Sequence, residues 1–256
     1  MNARMLTTAI TVEGRKATAS RTLTSTAILL VAGVAALAAA TTAAAGSGNE
    51  QLAAKLGPLA TAGGWPAMLN VATQVTAAAG LLAFGVALSW MFGREFTDGT
   101  ITGLFAIPVS RPSLALAKLL VFLLWATATA AALTLAVALA AIAVTRQLPE
   151  AADWASLSRL LALAIMTALL AVPAAWAATL GRGLLPAIAT TVTLMAVTQI
   201  VVVAGADAGW FPPAAPALWA LLPNTVTPAQ LALAAAFPIT FGLLTLHAWR
   251  RLQLDR

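Results

Sequence analysis

The sequence contains no cysteine, one histidine and little charge. The lack of cysteine excludes disulfide bonds, zinc-thiolate sites, iron–sulfur clusters and thiol nucleophiles. Only 9% of the 256 residues are charged, whereas soluble domains carry about 25%. A soluble globular fold is therefore excluded.

Apolar residues make up 61% of the chain, with alanine and leucine the main contributors. A membrane-crossing helix needs about 20 mainly apolar residues, and charges are expected at its ends. Six runs meet this condition, and they predict an all-α membrane protein with a cytoplasmic lead-in over 1–23, a six-helix domain over 24–248 and a tail over 249–256. The runs are 24–45, 67–91, 118–144, 160–180, 187–206 and 231–247.

The positive charges are distributed unequally between the two sides of this topology. The side that holds both termini carries eleven Lys and Arg residues: Arg4, Arg15, Lys16, Arg21, Arg94, Arg111, Lys118, Arg182, Arg250, Arg251 and Arg256. The other side carries Lys55, Arg146 and Arg159, and the acidic residues divide evenly. By the positive-inside rule both termini are cytoplasmic. The basic balance therefore reflects topology, and no nucleic-acid partner is expected.

Tryptophans near the predicted span ends, including Trp65 and Trp249, agree with these boundaries because indole rings favour the headgroup zone. A competing interpretation of the N-terminus is a cleavable signal peptide ending near Ala43-Ala44-Ala45. The long segment before the apolar run carries Glu13, and the run is long enough to span. We therefore expect a retained first helix.

Catalytic patterns are missing from the sequence. His247 lies beside Trp249 and Arg250, as expected for an interfacial anchor, and lacks the partners of a metal site or a catalytic triad. No GxxxxGK[ST] phosphate loop occurs. Because every charge can sit at a span end, an ion-coupled carrier is disfavoured. We expect no catalytic residue, no metal site and no cofactor in this chain.

The connection between the second and third spans predicts a short amphipathic helix over about 95–108. Thr97 or Asp98 can cap the start of this helix. Pro108 ends the helix, because proline disfavours helical geometry at the residue before it. Four residues at helical spacing form its apolar face: Ile101, Leu104, Phe105 and Pro108. This face needs a partner, either the membrane surface or another protein.

The third span is predicted to start just after this connection. Ser110 and Pro112 are residues that favour a helix start. Lys118 is expected to extend its ammonium towards the lipid headgroups.

The same connection carries the pattern Glu95, Asp98-Gly99-Thr100, Leu104, Pro108, Ser110-Arg111 and Lys118. It resembles the E-x-x-(x)GT-x-x-x-LL-x-x-P-x-S-R…K signature of ABC-2 type ABC transporter permeases, which include bacitracin-resistance and drug-export subunits. Chain length, six spans and a basic amphipathic lead-in with Glu13, Lys16 and Arg21 are also similar. Phe105 departs from the pattern, where a second leucine is usual.

The resemblance implies a permease subunit of an ATP-driven exporter in the cytoplasmic membrane of a prokaryote, working as a homodimer or a heterodimer with a paralogue. ATP and Mg would be bound by separate ABC ATPase subunits, and an amphipathic drug, antibiotic or peptide would be exported. The connection would be a coupling helix that docks on the ATPase, formed by Arg94, Glu95, Thr97, Asp98, Thr100, Ile101, Leu104, Phe105, Pro108 and Arg111. The alternatives are a helix lying on lipid headgroups and, for the whole chain, a non-transport membrane scaffold that docks a soluble partner.

Polar side chains on two spans indicate a substrate pathway. Asn70 and Gln74 share a face of the second span, and Thr198 and Gln199 lie on the fifth. Amides in lipid need partners or water, so these faces should point into the bundle or across a subunit interface. The resemblance implies that they line a central cavity, and helix–helix hydrogen bonding is the alternative.

Prolines interrupt two further regions. Pro173 predicts a kink in the fourth span. Residues 207–230 are too apolar for an ordinary loop, and the stretch 217–222 is too short to cross, which predicts an external re-entrant segment.

Overall fold

The computed structural model describes residues 3–46, 63–105, 109–205, 207–222 and 224–253. Ten α-helices and a short 3-10 turn, Ala208–Trp210, lie within these residues. The helices are α1 Ala3–Thr18, α2 Arg21–Gly46, α3 Gly64–Thr97, α4 Ile101–Phe105, α5 Arg111–Thr145, α6 Ala151–Leu170, α7 Pro173–Leu180, α8 Leu184–Ala204, α9 Ala215–Leu221 and α10 Pro228–Arg251.

Within the described residues, six spans are long and apolar enough to cross a membrane, as predicted: α2, α3, α5, α6 with α7, α8 and α10. They are mostly longer than the charge-free runs, since α3 continues to Thr97 and α5 begins at Arg111. Charges therefore mark where the apolar membrane core ends, while the helices continue beyond it.

Local signals fix where the helices begin and break. The Ser110 hydroxyl accepts a hydrogen bond from the Ser113 amide at 3.4 Å and caps α5. At α10, the Thr227 amide donates to Gln230 Oε1 at 2.8 Å, and the Gln230 amide donates back to Thr227 Oγ1. The fourth span breaks between α6 and α7, just before Pro173, as its sequence predicts.

Helix α3 lies at the centre of the bundle and packs against α2, α5, α6, α7, α8 and α9. Close approach to α8 depends on glycine at two positions. A Cβ at Gly85 would lie 2.1 Å from Thr191 Cγ2, and one at Gly93 would lie 2.9 Å from Leu184 Cα. Small residues at helix contacts give membrane bundles their packing energy, because lipid provides no hydrophobic force between helices.

One end of the bundle, which we call the basic end, brings together α1, the last turn of α3, the start of α5, the end of α7 and the end of α10. The Trp249 ring is fully buried there, edge-on to Phe92, and its Nε1 donates to Thr179 Oγ1 at 2.9 Å. The Arg182 guanidinium donates to the Gln253 carbonyl at 2.8 Å. These contacts fix the end of α10 against α3 and α7.

Trp65 and Trp249 lie at span ends as expected, but their rings face the protein. The Trp65 ring is also buried, and its Nε1 donates to the Gln147 carbonyl at 3.2 Å. Both indole N–H groups therefore donate to acceptors of the protein itself.

Large apolar side chains cover the outer faces of several spans. Leu124, Leu185 and Val203 are 73%, 81% and 84% exposed. Exposing so much apolar surface to water would be unfavourable, so these faces are suited to contact with lipid or with another subunit.

The region between the fifth and sixth spans contains the 3-10 turn and α9. The seven residues of α9 reach about 10 Å, far less than a bilayer. Helix α9 packs against α3, α6 and α10. A short apolar helix is therefore present, and its re-entrant position stays a prediction.

We predict that Gly85→Ala lowers the free energy of unfolding by about 1–3 kcal/mol, because the new methyl group must displace Thr191. Gly33→Ala is the matched control, since a Cβ there meets no atom within 4 Å. Thermal unfolding in mild detergent measures both variants. Equal midpoints for the two would contradict the proposed contact.

Candidate functional site: the connection between the second and third spans

The connection, residues 94–111, differs in its helix boundaries from the sequence prediction. Glu95 and Thr97 belong to the last turn of α3, and the separate helix α4 begins only at Ile101. The predicted start near residue 95 is therefore wrong. A turn containing Gly99, at φ +68°, separates the two helices. Pro108 and the Phe105 side chain lie outside the described residues.

The apolar face of α4 is turned towards the protein itself. Ile101 is buried in the core and Leu104 packs against it. The bundle therefore covers the Ile101 and Leu104 part of this face, and a partner for the rest of the face stays a prediction. In the described part of the connection, the exposed residues include the polar Thr97, Asp98, Thr100 and Thr102.

Four charged side chains meet beneath the connection, and we call Glu13, Lys16, Glu95 and Lys118 the charge cluster. Lys118 Nζ lies 2.8 Å from both Glu13 Oε2 and Glu95 Oε1. Lys16 Nζ lies 2.8 Å from Glu13 Oε1 and 3.2 Å from Glu95 Oε1. Each cation thus contacts both carboxylates, and the cluster is neutral as a whole.

The cluster lies inside the protein. The Lys118, Glu95 and Glu13 side chains are 1%, 3% and 5% exposed. The expectation that Lys118 extends to the headgroups is wrong, because two carboxylates and the Met91 carbonyl, 3.3 Å away, accept its hydrogen bonds. An ammonium has three donors, so all of them are used.

The second carboxylate oxygen of Glu95 connects the cluster to the turn. Thr100 Oγ1 donates to Glu95 Oε2. Since Lys16 belongs to α1 and Lys118 to α5, this one carboxylate joins the turn before α4 to α3, α1 and α5.

Lys16 remains charged in this arrangement. Burial alone would lower its pKa, but the hydrogen bonds and negative charges of Glu13 and Glu95 outweigh burial and raise the pKa above its ordinary value of 10.5. Its contribution to stability is therefore complete below pH 10.5 and is lost as the pH rises through the raised pKa.

Two other predicted coupling residues make contacts nearer the surface. The Arg94 guanidinium lies 4.4 Å from the centre of the Trp90 ring, and its Nε lies 3.8 Å from Asp98 Oδ2. An exposed pair of this kind contributes little to stability. Arg111 donates to the Leu252 carbonyl and so fixes the start of α5 to the end of the chain's last helix.

The predicted pathway residues lie together near α9, far from the connection. Gln74, Thr198 and Gln199 line a cavity of about 280 Å³, and Asn70 lines an adjoining cavity of about 160 Å³. Gln74 Nε2 donates to Asn70 Oδ1 at 3.0 Å, and the Thr198 hydroxyl donates to the Leu194 carbonyl at 2.7 Å. Both bonds stay within one helix, so neither joins α3 to α8. A role in substrate passage stays a prediction.

Sequence reasoning missed the pairing of Lys118 with Glu13. One signal was available: Glu13 and Lys16 have the i, i+3 spacing of an ion pair on a helix. Throughout the described ranges, no three His, Asp or Glu side chains are grouped to hold a metal ion.

The six apolar spans of the described residues define a multi-pass helical membrane protein. Residues 9–198, about three quarters of the chain, match the family model described as ABC-2 family transporter protein. The chain therefore belongs to the ABC-2 transporter family, as the motif in its connection predicts.

Similarity to one relative supports this family membership over a shorter stretch of the chain. The chain is 44% identical over 46 residues to the bacitracin transport permease protein of Bacillus licheniformis. The match covers 18% of this chain and 22% of that protein's length.

We predict that Lys118→Met lowers the free energy of unfolding by about 3–5 kcal/mol, because it leaves Glu13 and Glu95 buried with a single cation. The combined change Glu95→Gln with Lys118→Met restores charge balance and should recover part of the loss. Thermal unfolding of the purified chain measures the effect.

Lys16→Met is the matched control, since the Lys16 side chain is one-third exposed and water can solvate the charges near it. Lys16→Met should lower the free energy of unfolding clearly less than Lys118→Met. Equal losses of unfolding free energy in the two variants would contradict the larger contribution expected of the buried Lys118.

Proposed function

We propose that this chain is the non-catalytic permease subunit of an ATP-driven ABC exporter. Two permease subunits, identical or paralogous, form the pathway and bind two ABC ATPase subunits that hold ATP and Mg. The proposal is supported by membership of the ABC-2 transporter family and by the geometry of the connection.

The observation that carries the coupling role is the charge cluster. A partner that pushes on the exposed side of the connection would move α3 directly, because Glu95 lies on that helix. Through the ion pairs of Glu95 and Lys118 the displacement would also reach α1 and α5. Packed elements with two discrete arrangements transmit such displacements, whereas a loosely held loop would absorb them.

The proposed orientation follows from the positive charges. The basic end would face the cytoplasm, where the ATPase is found, and both termini would lie there. The protein would then reside in the cytoplasmic membrane of a prokaryote, with α9 and the cavities near it at the external side.

The proposed cargo is an amphipathic drug, antibiotic or peptide. The larger cavity combines apolar residues such as Leu81 and Met195 with the Gln74 and Gln199 amides, a lining typical of small-molecule sites. The relative of Bacillus licheniformis is named for bacitracin transport, which agrees with a cargo of this chemistry.

We predict that Thr102→Arg releases the ATPase. Thr102 is exposed on α4, and a bulky cation there would obstruct a docked partner without disturbing the buried face. Co-expression with a cognate ABC ATPase subunit, followed by purification in mild detergent, should show at least about tenfold less bound ATPase.

Thr225→Arg is the matched control, because Thr225 is an exposed hydroxyl residue outside the spans, in the turn before α10, at the end opposite the connection. It should leave co-elution unchanged. If Thr102→Arg also retains the ATPase, the docking role of the connection is wrong. A wild-type chain that purifies without any ATPase would favour the scaffold alternative.

We predict that Gln199→Leu changes substrate preference, because it removes an amide from the lining of the larger cavity. The ratio of resistance conferred against polar and apolar drugs should shift roughly threefold or more, as expected for one lost hydrogen bond. Val197→Leu is the control, placing leucine on the same helix at a residue outside the lining. An unchanged ratio across the panel would favour a packing role for Gln199.

A further inference from the structure

Arg159 lies within a membrane-spanning helix. It follows the start of α6 by eight residues, which places it about 12 Å along the helix axis. Its side chain is half-buried. Arginines in membrane-spanning helices are usually paired or face a cavity.

Among the described residues, the ion pairs of Lys16, Arg94 and Lys118 leave the Arg159 guanidinium without a carboxylate. The nearest acid along its own helix, Asp153, accepts a hydrogen bond from the Glu150 amide at 2.9 Å in the helix cap. Arg159 Nη2 donates to the Ser156 hydroxyl at 3.2 Å. This one contact leaves most of the five N–H donors of the guanidinium available for another acceptor.

Arg159 lines the smaller cavity, of about 160 Å³, with polar neighbours that include Asn70, Thr73 and Ser156. A guanidinium in such a setting matches the oxygens of a phosphate or carboxylate, which it can bind through two parallel hydrogen bonds.

The larger cavity, of about 280 Å³, adjoins this one. Leu221 lines both, and the Asn70–Gln74 hydrogen bond passes from one to the other. Most of its lining is apolar, for example Leu170, Met195 and Val202. A cationic site thus lies beside an apolar chamber.

We propose that these two cavities bind an anionic amphiphile, a molecule with a phosphate or carboxylate group joined to an apolar body. Arg159 binds the anion, and the larger cavity takes the apolar part. The inference rests on the proposed export function only in treating the bound molecule as cargo, and it adds a charge class to that cargo.

Dodecyl phosphate is the probe, measured against the full chain in nanodiscs of neutral phosphatidylcholine at physiological ionic strength. Arg159→Gln should weaken its binding about tenfold or more, since a hydrogen bond to a charged group is lost. Arg159→Lys should retain part of the affinity. Dodecyl maltoside, which has the same tail and no charge, should bind equally to all forms.

Arg146→Gln is the matched control, because Arg146 is an exposed cation near the same end of the bundle and lines neither cavity. Equal weakening of dodecyl phosphate binding by Arg146→Gln would attribute the effect to general surface charge and overturn the proposal. Undiminished binding by Arg159→Gln would overturn it as well.

Ala220→Asp keeps the test decisive if Arg159→Gln fails to fold. Ala220 lines the smaller cavity, so the new carboxylate should pair with Arg159 and abolish phosphate binding while the arginine is retained. Retained binding in that variant would contradict the proposal.

Competition with phosphatidylglycerol distinguishes the two sources of the anion. Displacement of the probe would assign the site to a membrane lipid, and lack of displacement would assign it to another amphiphile; either result keeps the site. All these measurements omit the ATPase, so a failure here is separate from a failure of ATPase docking.

Discussion

Charge buried away from water must be balanced by opposite charge, and this constraint organises the basic end of the protein. Lys118 is almost completely buried, and its three donors are all used by Glu13, Glu95 and the Met91 carbonyl. Each carboxylate in turn contacts a second cation, Lys16. The position of α1 against the spans, and the position of the turn before α4, both follow from this mutual neutralisation.

Helix α3 connects the two regions to which we assign function. It carries Glu95 near one end and Gln74 towards the other, 21 residues apart, which corresponds to about 30 Å along the axis. Between them, Gly85 and Gly93 bring the helix into close contact with α8. A displacement at the connection would therefore reach the cavities through one continuous helix and its closest neighbour.

The number of spans could be predicted from sequence, because the cost of charge in lipid confines charges to the ends of apolar runs. The direction in which a side chain points could not be predicted in this way. A lysine at a span end, such as Lys118, is equally suited to headgroups and to a buried carboxylate, and only the folded chain brings Glu13 near it. Ile101 is similar: periodicity identified an apolar residue but not the surface that covers it. Arg159 was counted as a loop charge because the apolar run begins one residue later, whereas the helix begins at Ala151.

The charge cluster also sets an order for assembly during synthesis. Glu13 precedes Lys118 by 105 residues, so α1 is made long before the third span exists. Until then Glu13 and Lys16 can neutralise each other within their own helix. The cluster closes only when Glu95 and Lys118 reach the same face of the bilayer as α1. A third span inserted upside down would hold Lys118 about 30 Å away, so closure of the cluster distinguishes correctly inserted chains from inverted ones.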